Sequence, residues 1–320
     1  LRAEADRRLN ALSEMPPPGT VPEQLLRLAP NVRHVVVVDA SHSRVYVFEQ
    51  QAGGLQLIRS FYASVGRAGF DNPVGKAFCQ MIAERGGEIC ERAVAAQPDD
   101  ADTLANLGRA YTKRGEGDRA TPLGVYFITS RLDDQQVEEL YGIGALPLNY
   151  PNEHDRRLGR TGSGIWLHGV PRVTYSRSPY ATEGCVALAN DDMAYLMKVL
   201  QTRRTPVIIA DEVNWVRPDD QAAERRSFDI LLTQWQEARA RRDGRTLLAL
   251  QTEDFNARAG NPLRKVSLAA EPLRANGEPD PQAEWRQVSV FRWKRGAEVA
   301  IVNYTAVSTK PSRSTDRRQY

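Results

Sequence analysis

Cys185 lies in the run Thr182-Glu183-Gly184-Cys185, ahead of apolar Val186–Leu188, and His168 closes the run Ile165-Trp166-Leu167-His168. A cysteine attacks carbon only as the thiolate, and a free thiol with a pKa of about 8.5 is mostly protonated at neutral pH. A thiol nucleophile therefore needs a base beside it. Of the four histidines, His34 flanks the Val35–Val38 run, His42 sits in a polar Ser-His-Ser turn and His154 lies in the charged Asn-Glu-His-Asp-Arg-Arg stretch. His168 alone ends an apolar run close in sequence to a cysteine turn. For an arbitrary pair the plainer reading is a buried small thiol and a satisfied core imidazole. The surrounding residues favour chemistry. Ile165–Leu167 predicts a core strand that delivers His168 to a sheet edge, and Gly184 removes side-chain bulk next to the sulfur.

His168-Gly169, then Thr182-x-Gly184-Cys185, then Asn190 resembles the signature of the YkuD-type L,D-transpeptidase catalytic domain. Gly115–Tyr126 is similar to the family's Gly-Asp-x-x-Thr-Pro-x-Gly-x-Tyr segment, and Leu148–Pro151 with Asp155 is similar to the Leu-Asn-Tyr-Pro-Asn segment of one subgroup. The resemblance covers residues 31–211 and implies a mostly β catalytic sandwich. It implies Cys185 as nucleophile, His168 as base and the Gly169 carbonyl as the group that orients the imidazole. Backbone N–H groups of Gly184 and Cys185 are expected at the oxyanion, and neither a metal nor an organic cofactor is required. Tyr150, Trp166, Thr182, Arg160 and Arg172 are the expected substrate contacts. Arg156, Arg157, Arg160 and Arg172 read equally as a solvated face or as carboxylate partners, since guanidinium pairs bidentately with carboxylate.

The implied substrate is the peptidoglycan stem peptide, cut between diaminopimelate and D-alanine through a thioester. Two departures bear on the acceptor: Glu183 stands where many members have His, and Ala187 where many have Arg. Losing that arginine removes a carboxylate partner. An L,D-carboxypeptidase that trims tetrapeptide to tripeptide, of the cell-shape type, is the alternative to the transpeptidase. A non-catalytic wall-binding module is the alternative of a different class.

The elements that must position these residues fall into three parts. With 320 residues, 41% apolar and 26% charged, the chain has the composition of a soluble globular protein and room for two domains. No apolar run approaches the roughly 18 residues of a membrane span. The net charge of +3, without aromatic interleaving or a groove-reading motif, does not point to nucleic acid. The first residue is Leu, so a removed signal peptide and a periplasmic or cell-envelope location are expected.

Residues 1–30 are expected to form a helical arm, Leu1–Leu12 and a second helix from Pro22 through Leu28. The arm is expected to pack on the catalytic domain or to pair a homodimer, and it reads equally as an ordered linker. In 31–211, Val35–Asp39 and Arg44–Glu49 predict a hairpin and Leu55–Val65 a third strand. A helical insert at about 70–114, part of it similar to one tetratricopeptide unit, reads as a lid or as a decoration. Cys79 and Cys90 flank Gly86-Gly87 within it, and in an oxidising compartment the economical arrangement is one disulfide there and a free Cys185. Asp191–Gln201 predicts a helix and Pro206–Ala210 a closing strand. In 212–320 a helix through Phe228 and Ala238, continued by Leu247, Leu248 and Phe255, precedes a hairpin of Trp285–Lys294 and Glu298–Val307. This α+β pattern resembles an NTF2-like cone. The Lys310–Arg318 tail is basic.

Overall fold

The structure, a computed structural model, describes residues 15–67, 119–250, 284–294 and 299–307. They divide into two compact units. Of the described residues, the first unit holds 15–22, 32–215 and 294, and the second holds 23–31, 216–293 and 299–307. The expected Leu1–Leu12 helix, the insert at about 70–114 with Cys79 and Cys90, the Asp254-Phe255 pair and the basic tail lie outside the described residues.

The first unit is built around a curled sheet. β1 (Val21–Pro22) precedes it in the chain, and β2 (Leu25–Arg27) belongs to the second unit. β3 (His34–Asp39) carries four consecutive valines, buried throughout. β-branched side chains are stiff and fill a two-sided core, so such a run makes a central strand. β4 (Arg44–Gln51) returns antiparallel to it, and the 13-residue β5 (Gly54–Gly66) pairs with β4 along its first part. β6 (Gly124–Phe127), β7 (Leu132–Asp133) and β8 (Gly144–Pro147) follow. After the short helix α1 (Glu153–Arg157) come β9 (Trp166–His168), β10 (Tyr180–Thr182) and β11 (Val186–Leu188). α2 (Asn190–Val199) buries Met193 and Leu196, and β12 (Pro206–Ala210) pairs parallel to β3. β13 (Trp215–Val216) pairs with β1.

The sheet order is β6-β12-β3-β4-β5-β11-β9-β8-β7, with β10 on the end of β5. A bridge between Ile128 and Leu148, just past β6 and β8, brings the two sides of this order together. The segment Leu148–Asp155 then covers the outer edge of β6. Asn149 Oδ1 accepts from the Phe127 N–H at 2.7 Å, and Asn152 Nδ2 donates to the Val125 carbonyl at 3.1 Å. An uncovered strand edge is a template for unwanted pairing, so this cover is a structural task in itself. Asn152 and Asp155 form a capping box that starts α1, where the sequence reading expects a charged loop. Asp155 is 1% exposed and accepts from Arg160 Nη1 at 3.0 Å.

At the far end of β5, Gly66 N–H donates to Thr121 Oγ1 at 2.8 Å, and Arg67 N–H donates to the Thr182 carbonyl at 2.8 Å. Arg67 and Arg119 both pair with Glu183, the latter at 3.4 Å.

In the second unit α3 (Ala222–Arg241) and α4 (Gly244–Ala249) precede β14 (Glu284–Trp293) and β15 (Val299–Val307). β14 and β15 pair antiparallel, and β2 adds to the other side of β14. Leu26, Val288, Val290 and Tyr304 form a core against which Phe228, Leu232 and Trp285 pack. Two expectations are corrected here. Leu25–Arg27 is a strand, because Leu25 and Leu26 are both buried and pair with a segment distant in sequence. The long helix does not continue through Leu247: Arg242 adopts a left-handed conformation (φ 56) that ends α3, and a new helix starts two residues later.

The buried Asp155–Arg160 pair yields a stability test. Arg160→Met should destabilise the protein by about 3–5 kcal/mol in denaturant unfolding, because it strips a charge partner from a buried carboxylate. Unchanged stability would mean that Asp155 is held by its bonds with Asn152 and by the Tyr126 hydroxyl, which donates to it at 3.4 Å.

Candidate active site

β9 and β11 run side by side in parallel, with Ala187 opposite His168 and Val186 opposite Leu167. Residues two apart on a strand share a face. This register therefore sets Cys185, just ahead of β11, level with Trp166 and on the side where His168 projects. Tyr141 packs beside His168 and Trp166. Its ring lies 5.0 Å from the His168 ring, edge-on, and 4.9 Å from Trp166, and Cys185 acts on it electrostatically.

The turn before Cys185 is held from within. Thr182, 1% exposed, donates its hydroxyl to the Cys185 carbonyl at 2.6 Å and accepts from the Gly184 N–H at 3.2 Å. Thr182 is thus a turn clasp, with its donor and one acceptor site engaged inside its own turn. The same bond engages the Gly184 N–H, which the sequence reading offers to an oxyanion. Gly184 also meets a backbone requirement. Its φ is +114, and a Cβ there would stand 2.8 Å from the Ala120 carbonyl oxygen.

Cys185 is half-buried and its thiol donates to the Gly164 carbonyl at 3.2 Å. His168 is 2% exposed and its Nδ1 lies 2.5 Å from the Gly169 carbonyl oxygen. A carbonyl only accepts, so Nδ1 carries the proton and Nε2 keeps the lone pair. Burial pushes the thiol up to about 11, opposed by the Trp166 backbone N–H and the Arg177 guanidinium. Burial drives the imidazole down to about 4, opposed by the Gly169 carbonyl and assisted by Arg177. Both groups are therefore neutral at rest at pH 7. Asn190 fixes the backbone beyond His168: its Oδ1 accepts from Val170 N–H at 3.2 Å and Ile143 N–H at 3.4 Å, and its Nδ2 donates to the Val170 carbonyl at 2.9 Å.

Most of the other expected site residues have partners of their own. Tyr150 donates to the Thr161 carbonyl at 3.0 Å and packs on Tyr126, within the cover of β6. Arg160 is taken up by Asp155, exposed Arg172 pairs with Asp134 at 2.8 Å, and Arg156 pairs with Glu153. Trp166 stays beside the pair through Tyr141. Arg177, which the sequence reading passes over, acts electrostatically on Cys185, His168 and Tyr141. Its signal was a cation in the loop between the histidine and the cysteine.

A model of the YkuD L,D-transpeptidase catalytic domain matches residues 33–209. No curated protein matches the chain. Among solved structures, Bd1075 of Bdellovibrio bacteriovorus is 21% identical, with a TM-score of 0.55 over 90% of this chain and 91% of that one. The helical cell shape determining protein Pgp2 of Campylobacter jejuni is 16% identical, with a TM-score of 0.56 over 99% of this chain and 100% of that one. At these identities the likeness is one of fold.

The neutral imidazole has a measurable consequence. A histidine with an ordinary value of 6.5 unfolded and about 4 folded favours the folded state above pH 6.5, and that contribution is lost as pH falls through 4. It is on the order of 3 kcal/mol. Denaturant unfolding at pH 7 and pH 4.5 should therefore show an acid loss about 2 kcal/mol smaller in His168→Gln than in the unmodified protein. Identical losses would show that the imidazole is not held neutral.

Proposed function

The chain belongs to the L,D-transpeptidase catalytic domain family, and on that premise we propose that it modifies peptidoglycan by acyl transfer through Cys185. The family acts on peptidoglycan in the cell envelope, so a periplasmic or envelope location is part of the proposal. The observation that supports it best is the placement of Cys185 and His168 on one side of two adjacent parallel strands, with Nδ1 of the imidazole tied to the Gly169 carbonyl.

The proposed cycle starts from the neutral pair. His168 Nε2 takes the thiol proton as Cys185 Sγ attacks the carbonyl of diaminopimelate in a tetrapeptide stem. The developing oxyanion faces the Cys185 N–H, since the Gly184 N–H is engaged by Thr182. Collapse breaks the bond to D-alanine, whose amine leaves with the proton from Nε2, and a thioester remains. A stem amine or a water then attacks the thioester, gives its proton to Nε2, and the thiol is restored. An amine makes this a transpeptidase that forms 3–3 links. Water makes it an L,D-carboxypeptidase. Ala187, buried beside His168, supports the second outcome, because the family's arginine at that position is missing and Arg160 and Arg172 are already paired. The likeness in fold to a cell-shape protein is in keeping with trimming. The second unit, with α3 packed on the β14–β15 hairpin, is proposed as an NTF2-like α+β domain.

Cys185→Ala should abolish turnover and leave the unfolding midpoint within a few degrees. His168→Ala should cost nearly as much, and the double variant little more, because nucleophile and base act as a unit. Full activity of Cys185→Ala would end the mechanism. With purified tetrapeptide monomer as substrate, tripeptide should form at least as fast as 3–3 dimer. Prompt dimer with little tripeptide would identify a cross-linker instead.

A further inference from the structure

We infer that Arg177 is the anion anchor of this site, the residue that receives a carboxylate of the peptide flanking the scissile bond. The inference rests on the acyl-transfer reading above and names the group that reads its substrate. Arg177 lies in the loop between β9 and β10, and its own carbonyl accepts from the Tyr62 hydroxyl at 2.8 Å, which pins the backbone at that point. The residue is half-buried. Among the described residues its guanidinium reaches only neutral partners, the carbonyls of Ala181 and Leu140, each at 3.4 Å.

Those partners belong to the two segments that touch the reacting pair. Leu140 precedes Tyr141, whose ring stands edge-on to His168. Ala181 precedes Thr182, whose hydroxyl holds the Cys185 carbonyl. Arg177 thus bridges the segment that packs on His168 and the turn that carries Cys185, and its charge is felt by both groups. Arg67, Arg119, Arg160 and Arg172 all have carboxylate partners. Arg177 makes no ion pair with any described residue.

A partly desolvated guanidinium with two long bonds to carbonyls is poorly compensated. A carboxylate would supply two shorter, charge-assisted bonds in the fork geometry that guanidinium favours. The stem peptide is rich in carboxylates, and Ala187 offers none of them a partner.

The test uses the full chain and two thiol reagents of similar size, iodoacetate and iodoacetamide, with modification read by mass spectrometry on the Cys185 peptide. A change in thiol acidity alters both rates alike, so their ratio isolates anion recruitment. In Arg177→Gln the iodoacetate-to-iodoacetamide ratio should fall at least about tenfold, with Arg177→Lys in between. A parallel assay compares KM for the tetrapeptide stem, which should rise about tenfold or more in Arg177→Gln with a smaller change in kcat. An unchanged ratio overturns the inference, as does an equal fall for both reagents, which would mark Arg177 as a loop staple. If the ratio falls but the unmodified enzyme leaves the stem peptide intact, the anion site stands and the peptidoglycan reading fails.

Discussion

The parallel pairing of β9 with β11 is the constraint on which the site depends. Each strand is three residues long, too short to persist alone, and a slip of one residue would turn the Cys185 and His168 side chains to opposite faces. The neighbours on either side hold the register. β8 sets Ala145 against His168 and Pro147 against Trp166, while the end of β5 sets Ser64 against Ala187 and Ala63 against Leu188. β5 is long because it has two tasks. Its first part belongs to the β3–β4 core, and its last residues reach past that core to grip β11 and β10. The valine-rich centre of the sheet therefore stabilises the reacting face indirectly.

Burial creates both the opportunity and the cost of the chemistry. Removed from water, the thiol and the imidazole each disfavour charge, so the stable resting form is the uncharged pair. Proton transfer then belongs to the attack itself, when the substrate carbonyl supplies somewhere for negative charge to go. The Gly169 carbonyl supports this passively by fixing the tautomer. Asn190 fixes Val170 and Ile143 in turn, so the asparagine that closes the sequence signature supports the histidine from a distance.

The sequence revealed most of the first unit. A four-valine run reads as a central strand in any context, and a glycine-bounded apolar run ending in histidine reads as a strand that presents it. What escaped was decided by contacts far away in the chain. Leu25–Arg27 carries two adjacent leucines that suit a helix or a strand, and the choice is made by Val290 and Phe291. The clasp made by Thr182 was hidden because nothing local indicates that its hydroxyl folds back on its own turn. Arg160 looked like an available cation until Asp155 claimed it. Arg177, flanked by serines, reads as a solvated loop residue, and its importance appears only once the chain brings Leu140 and Ala181 to it. The fold was legible from short-range patterns, whereas the roles of charged residues depended on who their distant partners are.

Glu183 holds Arg67 and Arg119 at one point, and Gly66 leans on Thr121 directly beside it. Residues 67 and 119 are thereby fastened to each other through the turn that presents Cys185. Removing that one carboxylate would release both cations at once, two residues from the nucleophile.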